Sequence, residues 1–221
     1  MAEALPIKNS IEDLANEVRG YTVGRHIPVN MERAVISLGG KITGTPYHEM
    51  TKEKYRRGVV KTGEKSFLLQ IYAPYALYEM DSLIHDKGYL SLSLTDWRLS
   101  SHGRYEIAHL LGHLFLHMGY KDERWEHQGK FRDALKYALE DHPRLEMEAN
   151  RFAQTFLMPE KGFRQIAQKN FDKGKNKYSL RGIAAKFNVP SLAVERYGER
   201  LDIFKKEEEP QHATPKPPKF D

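Results

Sequence analysis

The strongest constraint on this chain is a pair of histidines, His109 and His113, in the apolar segment R-Y-E-I-A-H-L-L-G-H-L-F-L-H at residues 104–117. The apolar spacing predicts an internal helix over residues 103–118, with Gly112 leaving room for a close neighbour. Positions four apart lie one turn apart on the same helix face, so both imidazoles can reach one metal ion. The sequence therefore predicts a metal site on a buried helix.

Residue 110 decides what such a site can do. In the H-E-x-x-H pattern of zinc hydrolases, a glutamate after the first histidine acts as the general base, but this chain has Leu110 there. Glu106, one turn earlier, is a weak substitute because an axial rise of about 6 Å, at roughly 1.5 Å per residue, separates the two positions. The predicted ligands are present and the base is missing, so the sequence predicts impaired hydrolysis.

Composition limits the other ligands. The chain has no cysteine, so a tight transition-metal site must be built from His, Asp and Glu. Glu146, in a second amphipathic helix beginning near residue 144 and closed by Met158 and Pro159, is the predicted third ligand for Zn²⁺. Glu148 is the alternative, but it lies about 200° around that helix from Glu146, nearer the polar side.

Two further side chains are candidates to support the ligands. Asn150 lies one turn after Glu146 on the same face and could hydrogen-bond the outer nitrogen of a liganding imidazole. His117 lies one turn beyond His113, where it would either support the site or complete a site made of histidines alone. We favour the supporting role for His117.

The sequence of the rest of the chain predicts an α+β fold. A Ser10-capped helix over residues 10–18 and an Asn30-capped helix over residues 31–39 are predicted first. A small antiparallel sheet packed on helices follows, with strands at residues 41–43, 66–72 and 89–94. A further helix is predicted over residues 126–139, before the Glu146 helix.

We divide the chain into residues 1–160, residues 161–204 and a charged, proline-rich tail at residues 205–221 that should be disordered. The middle unit is basic and helical, and two short helices flanking a turn at residues 188–191 have helix-turn-helix-like spacing. Base-reading side chains are sparse on the second of these helices. We therefore expect a protein partner, with at most weak nucleic-acid contact that has no sequence preference.

Net charge and targeting signals set the location. The formal charge is +5, from 35 basic and 30 acidic residues, which is a mild excess. The N-terminus lacks the basic and apolar regions of a signal peptide, and no segment approaches the roughly 20 apolar residues of a membrane span. We expect a cytoplasmic protein with no membrane contact.

The two predicted helices together resemble the ImmA/IrrE family of zinc peptidases. That family's pattern is R-F-x-x-A-H-E-L-G-H-x-x-L-H followed by E-x-E-A-N-x-F-A and L-M-P. This chain has the first over residues 104–117, the second over residues 146–153 and the third over residues 157–159. The resemblance covers roughly residues 10–204, and the one chemically decisive departure is Leu110.

The resemblance implies an intracellular zinc-peptidase-like domain in which His109, His113 and Glu146 hold zinc and position 110 supplies the base. It also implies a regulatory role in bacteria, phages or mobile elements, or in a stress response. The substrate or partner would be a helix-turn-helix transcriptional repressor. Two functions stay open: a zinc peptidase impaired at Leu110, or a non-hydrolytic zinc protein that binds a protein or DNA.

Overall fold

The computed structural model describes residues 10–46, 58–62, 67–73, 100–117, 134–135 and 143–204. In these ranges the helices and strands occupy largely separate runs along the chain, and two of the three strand pairs of the main sheet are antiparallel, which confirms the α+β class. The elements are α1 (Ile11–Thr22), α2 (Met31–Ser37), β1 (Gly40–Pro46), β2 (Gly58–Thr62), β3 (Phe67–Ala73), α3 (Ser101–Leu116), β4 (Ala134–Leu135), α4 (Pro143–Leu157), α5 (Glu160–Lys169), β5 (Phe171–Asp172), β6 (Lys177–Tyr178), α6 (Leu180–Phe187) and α7 (Ser191–Arg200).

The two N-terminal helices begin at the predicted caps. The backbone N–H of Asp13 donates to Ser10 Oγ at 3.1 Å, and the Ser10 N–H donates to Asp13 Oδ2 at 3.1 Å. At α2 the Arg33 N–H donates to Asn30 Oδ1 at 2.9 Å. These bonds satisfy amide groups that a helix start leaves without partners, so local sequence fixes both starting points.

The main sheet has the strand order β1-β3-β2-β4. β2 runs antiparallel to both β3 and β4, as predicted for a small antiparallel sheet, whereas β1 pairs with β3 in parallel. That parallel pair was not predicted, because alternation along one strand does not show which neighbour it will choose. The strands predicted at residues 41–43 and 66–72 are confirmed, and the one at residues 89–94 lies outside the described residues.

The helix predicted over residues 126–139 is wrong where the structure describes it. Ala134 and Leu135 form β4 and pair with Lys61 and Val60 of β2. A short apolar run is ambiguous between helix and strand, and here the open edge of β2 supplies hydrogen-bond partners that favour the strand. The other residues of that prediction lie outside the described part of the chain.

The core joins the N-terminal helices, α3, α4 and the C-terminal helices in one buried cluster. The rings of Phe115 on α3 and Phe152 on α4 stack with centroids 6.0 Å apart, and Phe152 stacks on Phe156 at 5.9 Å. Spacing along α3 also predicts five core-facing side chains, of which four are buried and the fifth lies outside the described residues: Ala108, Leu111, Leu114 and Phe115, then Met118. Both helices of the predicted metal site are therefore held by packing on several sides.

The C-terminal helices pack into that cluster through Phe163, Ile183 and Val194. α6 and α7 are separated by a short connection in which Asn188 takes a left-handed φ of 52°. Two helices around a turn were predicted here and are present. Their use as a DNA-reading helix-turn-helix, and the division of the chain after residue 160, stay predictions.

Across the described residues, the longest helices are too short or too polar to cross a membrane.

Candidate metal centre

His109, His113 and Glu146 meet at one point between α3 and α4. Their potential ligand atoms all lie within 4.8 Å of one another. The two Nε2 atoms are 3.0 Å apart, and each lies 3.1 Å from a different oxygen of Glu146. All three residues are buried, with exposed fractions of 1%, 3% and 7%.

This triangle has the dimensions of a metal site. With zinc–nitrogen and zinc–oxygen distances of about 2.0–2.1 Å, ligand atoms of a tetrahedral site are about 3.3 Å apart. The observed separations lie slightly inside that value. Glu146 Oε2 is buried and makes no hydrogen bond, although His109 Nε2 is close to it. A buried carboxylate oxygen facing imidazole nitrogens in this way fits a shared cation.

The helix geometry brings the ligands together. α3 begins at a Ser100 cap, with the Gly103 N–H donating to Ser100 Oγ at 3.1 Å, and carries both histidines one turn apart. Glu146 lies in the first turn of α4. Gly112 on α3 faces the backbone of Ala149 on α4, which allows the close approach that the ligands need.

Asn150 holds the outer nitrogen of His109, as the sequence predicts. The Nδ1 of His109 lies 3.1 Å from Asn150 Oδ1, which also accepts a hydrogen bond from the Tyr105 hydroxyl at 3.3 Å. An amide oxygen only accepts, so His109 must carry its proton on Nδ1. Its Nε2 then carries the lone pair through which the imidazole would bind a cation.

His117 and Glu148 lie beside the triangle rather than within it. The Nδ1 of His117 is 2.9 Å from the Nδ1 of His113, and its Nε2 is 3.1 Å from Glu148 Oε2. Arg144 donates to the other oxygen of Glu148 at 2.8 Å. The structure thus brings Glu146, and not the alternative Glu148, to the paired histidines. His117 contacts His113 and lies outside the triangle.

The charge states follow from burial and contacts. Burial raises the pKa of Glu146, but its contacts with His109 and His113 outweigh burial and hold that pKa well below the ordinary range. For His117, burial and the nearby His113 lower the pKa to about 4 against the opposing effect of Glu148. Near neutral pH, Glu146 is therefore ionised, and His117 beside the triangle is a neutral imidazole.

Leu110 and Glu106 lie on the same helix without adding a ligand. Leu110 is 4% exposed and belongs to the apolar core, and Glu106 is partly buried one turn earlier. Among the residues that the structure describes, the converging group consists of His109, His113 and Glu146. That group therefore contains neither residue 110, the position of the general base, nor Glu106, its candidate substitute.

Three long-range contacts of the ligand helices and their neighbours were missed from the sequence. Arg104, at the start of α3, is buried and donates through Nε to the backbone carbonyl of Asn188 at 3.1 Å. Burial lowers the pKa of Arg104. Glu12 of α1 accepts hydrogen bonds from Arg151 and Arg200. Partners so far apart along the chain leave no local periodic signal, although an arginine in an apolar helix is itself a sign of a buried acceptor.

Residues 100–197 match a family model, Peptidase_M78, described as the IrrE N-terminal-like domain. Over this segment, just under half of its length, the chain is similar to the IrrE N-terminal-like family. The match begins at the cap of α3, contains the whole His109, His113 and Glu146 triangle, and ends within α7. The assignment agrees with the resemblance that the sequence carries, and it makes this segment zinc-metallopeptidase-like. No curated protein matches the chain.

Proposed function

We propose that the IrrE N-terminal-like domain binds one zinc ion through His109, His113 and Glu146. The observation that carries this proposal is the convergence of three buried ligand atoms within 4.8 Å. Two imidazoles and one carboxylate form one of the ligand sets found in catalytic zinc sites, in which a fourth position is left for water or substrate. The low pKa of Glu146 supports the same reading, because a cation is best held by an ionised carboxylate.

Peptide hydrolysis at this centre is severely impaired in our proposal. Zinc held there would supply Lewis acidity toward a water molecule or a peptide carbonyl. Leu110 has no atom that accepts a proton, and general-base assistance is typically worth about 10²–10⁴ in rate. The chain therefore retains the means of holding a metal and orienting a peptide, while it lacks the group that moves the proton.

The partner we propose is a helix-turn-helix transcriptional repressor in the cytoplasm. The support is the family resemblance, whose members act on such repressors in phages, mobile elements and stress responses. Net positive charge and exposed lysines in the C-terminal region suit an acidic protein surface. The outcome would be relief of repression, either by slow cleavage or by capture of the repressor.

The second candidate function is a regulator that binds without hydrolysis. The burial of Leu110 in the core favours it, because an apolar side chain at the base position adds packing while it removes chemistry. In this case zinc stabilises the fold, and the C-terminal region binds the partner, a repressor or DNA. The two candidates differ in one observable, which is cleavage of the partner.

Three proteins distinguish the two candidate functions: the unaltered chain, Leu110→Glu, and Leu110→Glu combined with His113→Ala. Each is co-expressed with the helix-turn-helix repressors of the host, one at a time, and fragments are identified by mass spectrometry. We expect site-specific, zinc-dependent cleavage with Leu110→Glu alone. Equal cleavage by the unaltered chain would show that another group, with Glu106 the first to test, already serves as base. Capture of a repressor with no cleavage by any of the three would favour the binding regulator.

A further inference from the structure

A chain of four side chains leads from the surface of α4 to the ligand His113. Arg144 donates to Glu148, Glu148 lies 3.1 Å from His117 Nε2, and His117 Nδ1 lies 2.9 Å from His113 Nδ1. We propose that Glu148 and His117 are positioning residues that fix the proton of His113 on Nδ1 and so direct its Nε2 lone pair at the metal. This inference rests on the zinc site proposed above.

The direction of each hydrogen bond follows from its acceptor. The carboxylate of Glu148 only accepts, so His117 must donate through Nε2. With the ring proton of His117 on Nε2 its lone pair lies on Nδ1, so the 2.9 Å contact between the two Nδ1 atoms requires His113 to donate. His113 is left with a lone pair on Nε2, the atom that lies 3.1 Å from Glu146 Oε1. One carboxylate thereby sets the tautomers of two imidazoles.

Burial strengthens the hydrogen bonds of this arrangement. The side chain of His117 is 4% exposed and that of Glu148 is 21% exposed, so water competes little for the hydrogen bonds between them. Arg144, whose side chain is 84% exposed, contributes little by itself. Within this hydrogen-bonded series, the positioning residues are therefore Glu148 and His117.

The same series of hydrogen bonds also links the two ligand helices. His117 is the C-terminal cap of α3, with its N–H donating to the His113 carbonyl at 2.9 Å, and Glu148 lies on α4 two residues after Glu146. The same carboxylate thus restrains the position of α3 relative to the helix that supplies the third ligand. The outer nitrogen of the other histidine ligand, His109, contacts the neutral amide of Asn150, whereas that of His113 is linked through His117 to a carboxylate.

Zinc affinity tests the proposal, measured by competition with a chromophoric chelator on the full chain. We expect Glu148→Ala to weaken zinc binding about 10–100-fold, the usual effect of removing a group that orients a metal ligand. Glu148→Gln should recover most of the affinity, because its amide oxygen can still accept from His117. Glu160→Ala is the matched control: Glu160 forms a similar i,i+4 pair with Arg164 on α5 and should leave affinity unchanged.

Three results would overturn the proposal. In the first, Glu148→Ala matches Glu160→Ala in zinc affinity. In the second, Glu148→Gln is as weak as Glu148→Ala, which would assign the effect to charge alone. In the third, Glu148→Ala lowers the thermal stability of the zinc-free protein enough to account for the whole loss of zinc affinity. That result would assign the loss of affinity to folding. An unaltered chain that binds no zinc at all would instead reject the proposed metal centre itself, and the inference with it.

Nitrogen-15 NMR of the imidazoles provides a readout that a purely structural role would not move. In the zinc-loaded protein we expect His113 to be protonated on Nδ1 and His117 on Nε2, with the His117 signal shifting toward a mixture of tautomers in Glu148→Ala. A proton on Nδ1 of His117 in the unaltered chain would contradict the assigned direction of both hydrogen bonds.

Discussion

Gly112 on α3 lies directly against the backbone of Ala149 on α4. A Cβ at position 112 would lie 2.9 Å from both the Cα and the carbonyl oxygen of Ala149, and 3.2 Å from Phe152 Cβ. Backbone atoms cannot move aside as the end of a side chain can. The absence of a side chain at residue 112 therefore sets the separation of the two helices that carry the metal ligands.

Gly112→Ala should destabilise the fold by about 1–3 kcal/mol, the usual cost of forcing an extra methyl into a packed contact. It should also weaken zinc binding, because the two histidines move away from Glu146. Thermal unfolding and chelator competition measure the two effects. Gly20→Ala is the control: it lies within α1, where an added Cβ would meet no atom within 4 Å, and it should stabilise by about 0.5–1 kcal/mol. Equal stability of the two variants would contradict the close approach.

Glu12 joins three helices through two arginines. Arg151 donates to both of its oxygens, at 2.9 and 3.1 Å, and Arg200 donates to Oε1 as well. The Glu12 side chain is 28% exposed, so water only partly screens these bonds. Glu12→Gln should cost about 1–2 kcal/mol of unfolding free energy at neutral pH. Denaturant unfolding measures it, and Glu160→Gln, in the exposed pair with Arg164, should cost little.

The same contact predicts a pH dependence. Burial raises the pKa of Glu12, but Arg151 and then Arg200 outweigh it, so the folded-state pKa lies below the ordinary 4.5. The stabilisation is therefore fully present above pH 4.5 and is lost as the pH falls through the folded-state pKa. The stability difference between the unaltered chain and Glu12→Gln should narrow as the solution is acidified below that value. A difference that grows on acidification would contradict the assigned direction of the shift.

Local sequence predicted the parts that depend on local interactions. The Ser10 and Asn30 caps, the close neighbour of Gly112 and the contact of Asn150 with His109 all follow from helical spacing and capping chemistry. Glu146 could be preferred to Glu148 because only one of them lies on the apolar side of its helix. These predictions need only the geometry of a single helix.

The remaining features depend on partners far apart in the chain. The parallel pairing of β1 with β3, the strand at Ala134 and the bond from Arg104 to Asn188 each require knowledge of which segments meet. The link from Glu148 through His117 could have been suspected, since both lie near ligands. Its direction could be assigned only from the contact between His113 and His117 in the structure.

Leu110→Glu should make stability depend strongly on zinc. Leu110 is 4% exposed in the core, so a glutamate there costs several kcal/mol unless the charge gains a cation as partner. We expect its thermal midpoint to fall well below that of the unaltered chain in the presence of a chelator, and to recover when zinc is added. Leu110→Gln should lose stability in both conditions, because a neutral amide gains less from the metal. Equal midpoints with and without zinc for Leu110→Glu would place residue 110 away from the site.

Weak, salt-sensitive retention on DNA is expected from the exposed basic side chains around the β5–β6 hairpin, which include Lys173, Lys175 and Arg181. Lysines contact phosphates rather than base edges, so binding should show no sequence preference and should fall steeply with salt. Replacing Lys173 and Lys175 by alanine should reduce retention in a fluorescence anisotropy titration, and Lys41→Ala should not. A tight footprint on one operator would instead indicate a sequence-reading helix pair.

The metal content of the purified protein tests the central claim most directly. We expect near-stoichiometric zinc by elemental analysis when the chain is purified without chelator, and its loss in His113→Ala and in Glu146→Gln, because each change removes a donor atom of the buried triangle. Glu160→Gln should retain the metal. Full zinc retention in Glu146→Gln with complete loss in Glu148→Gln would contradict the account, because it would move the third ligand to the carboxylate that the structure pairs with His117.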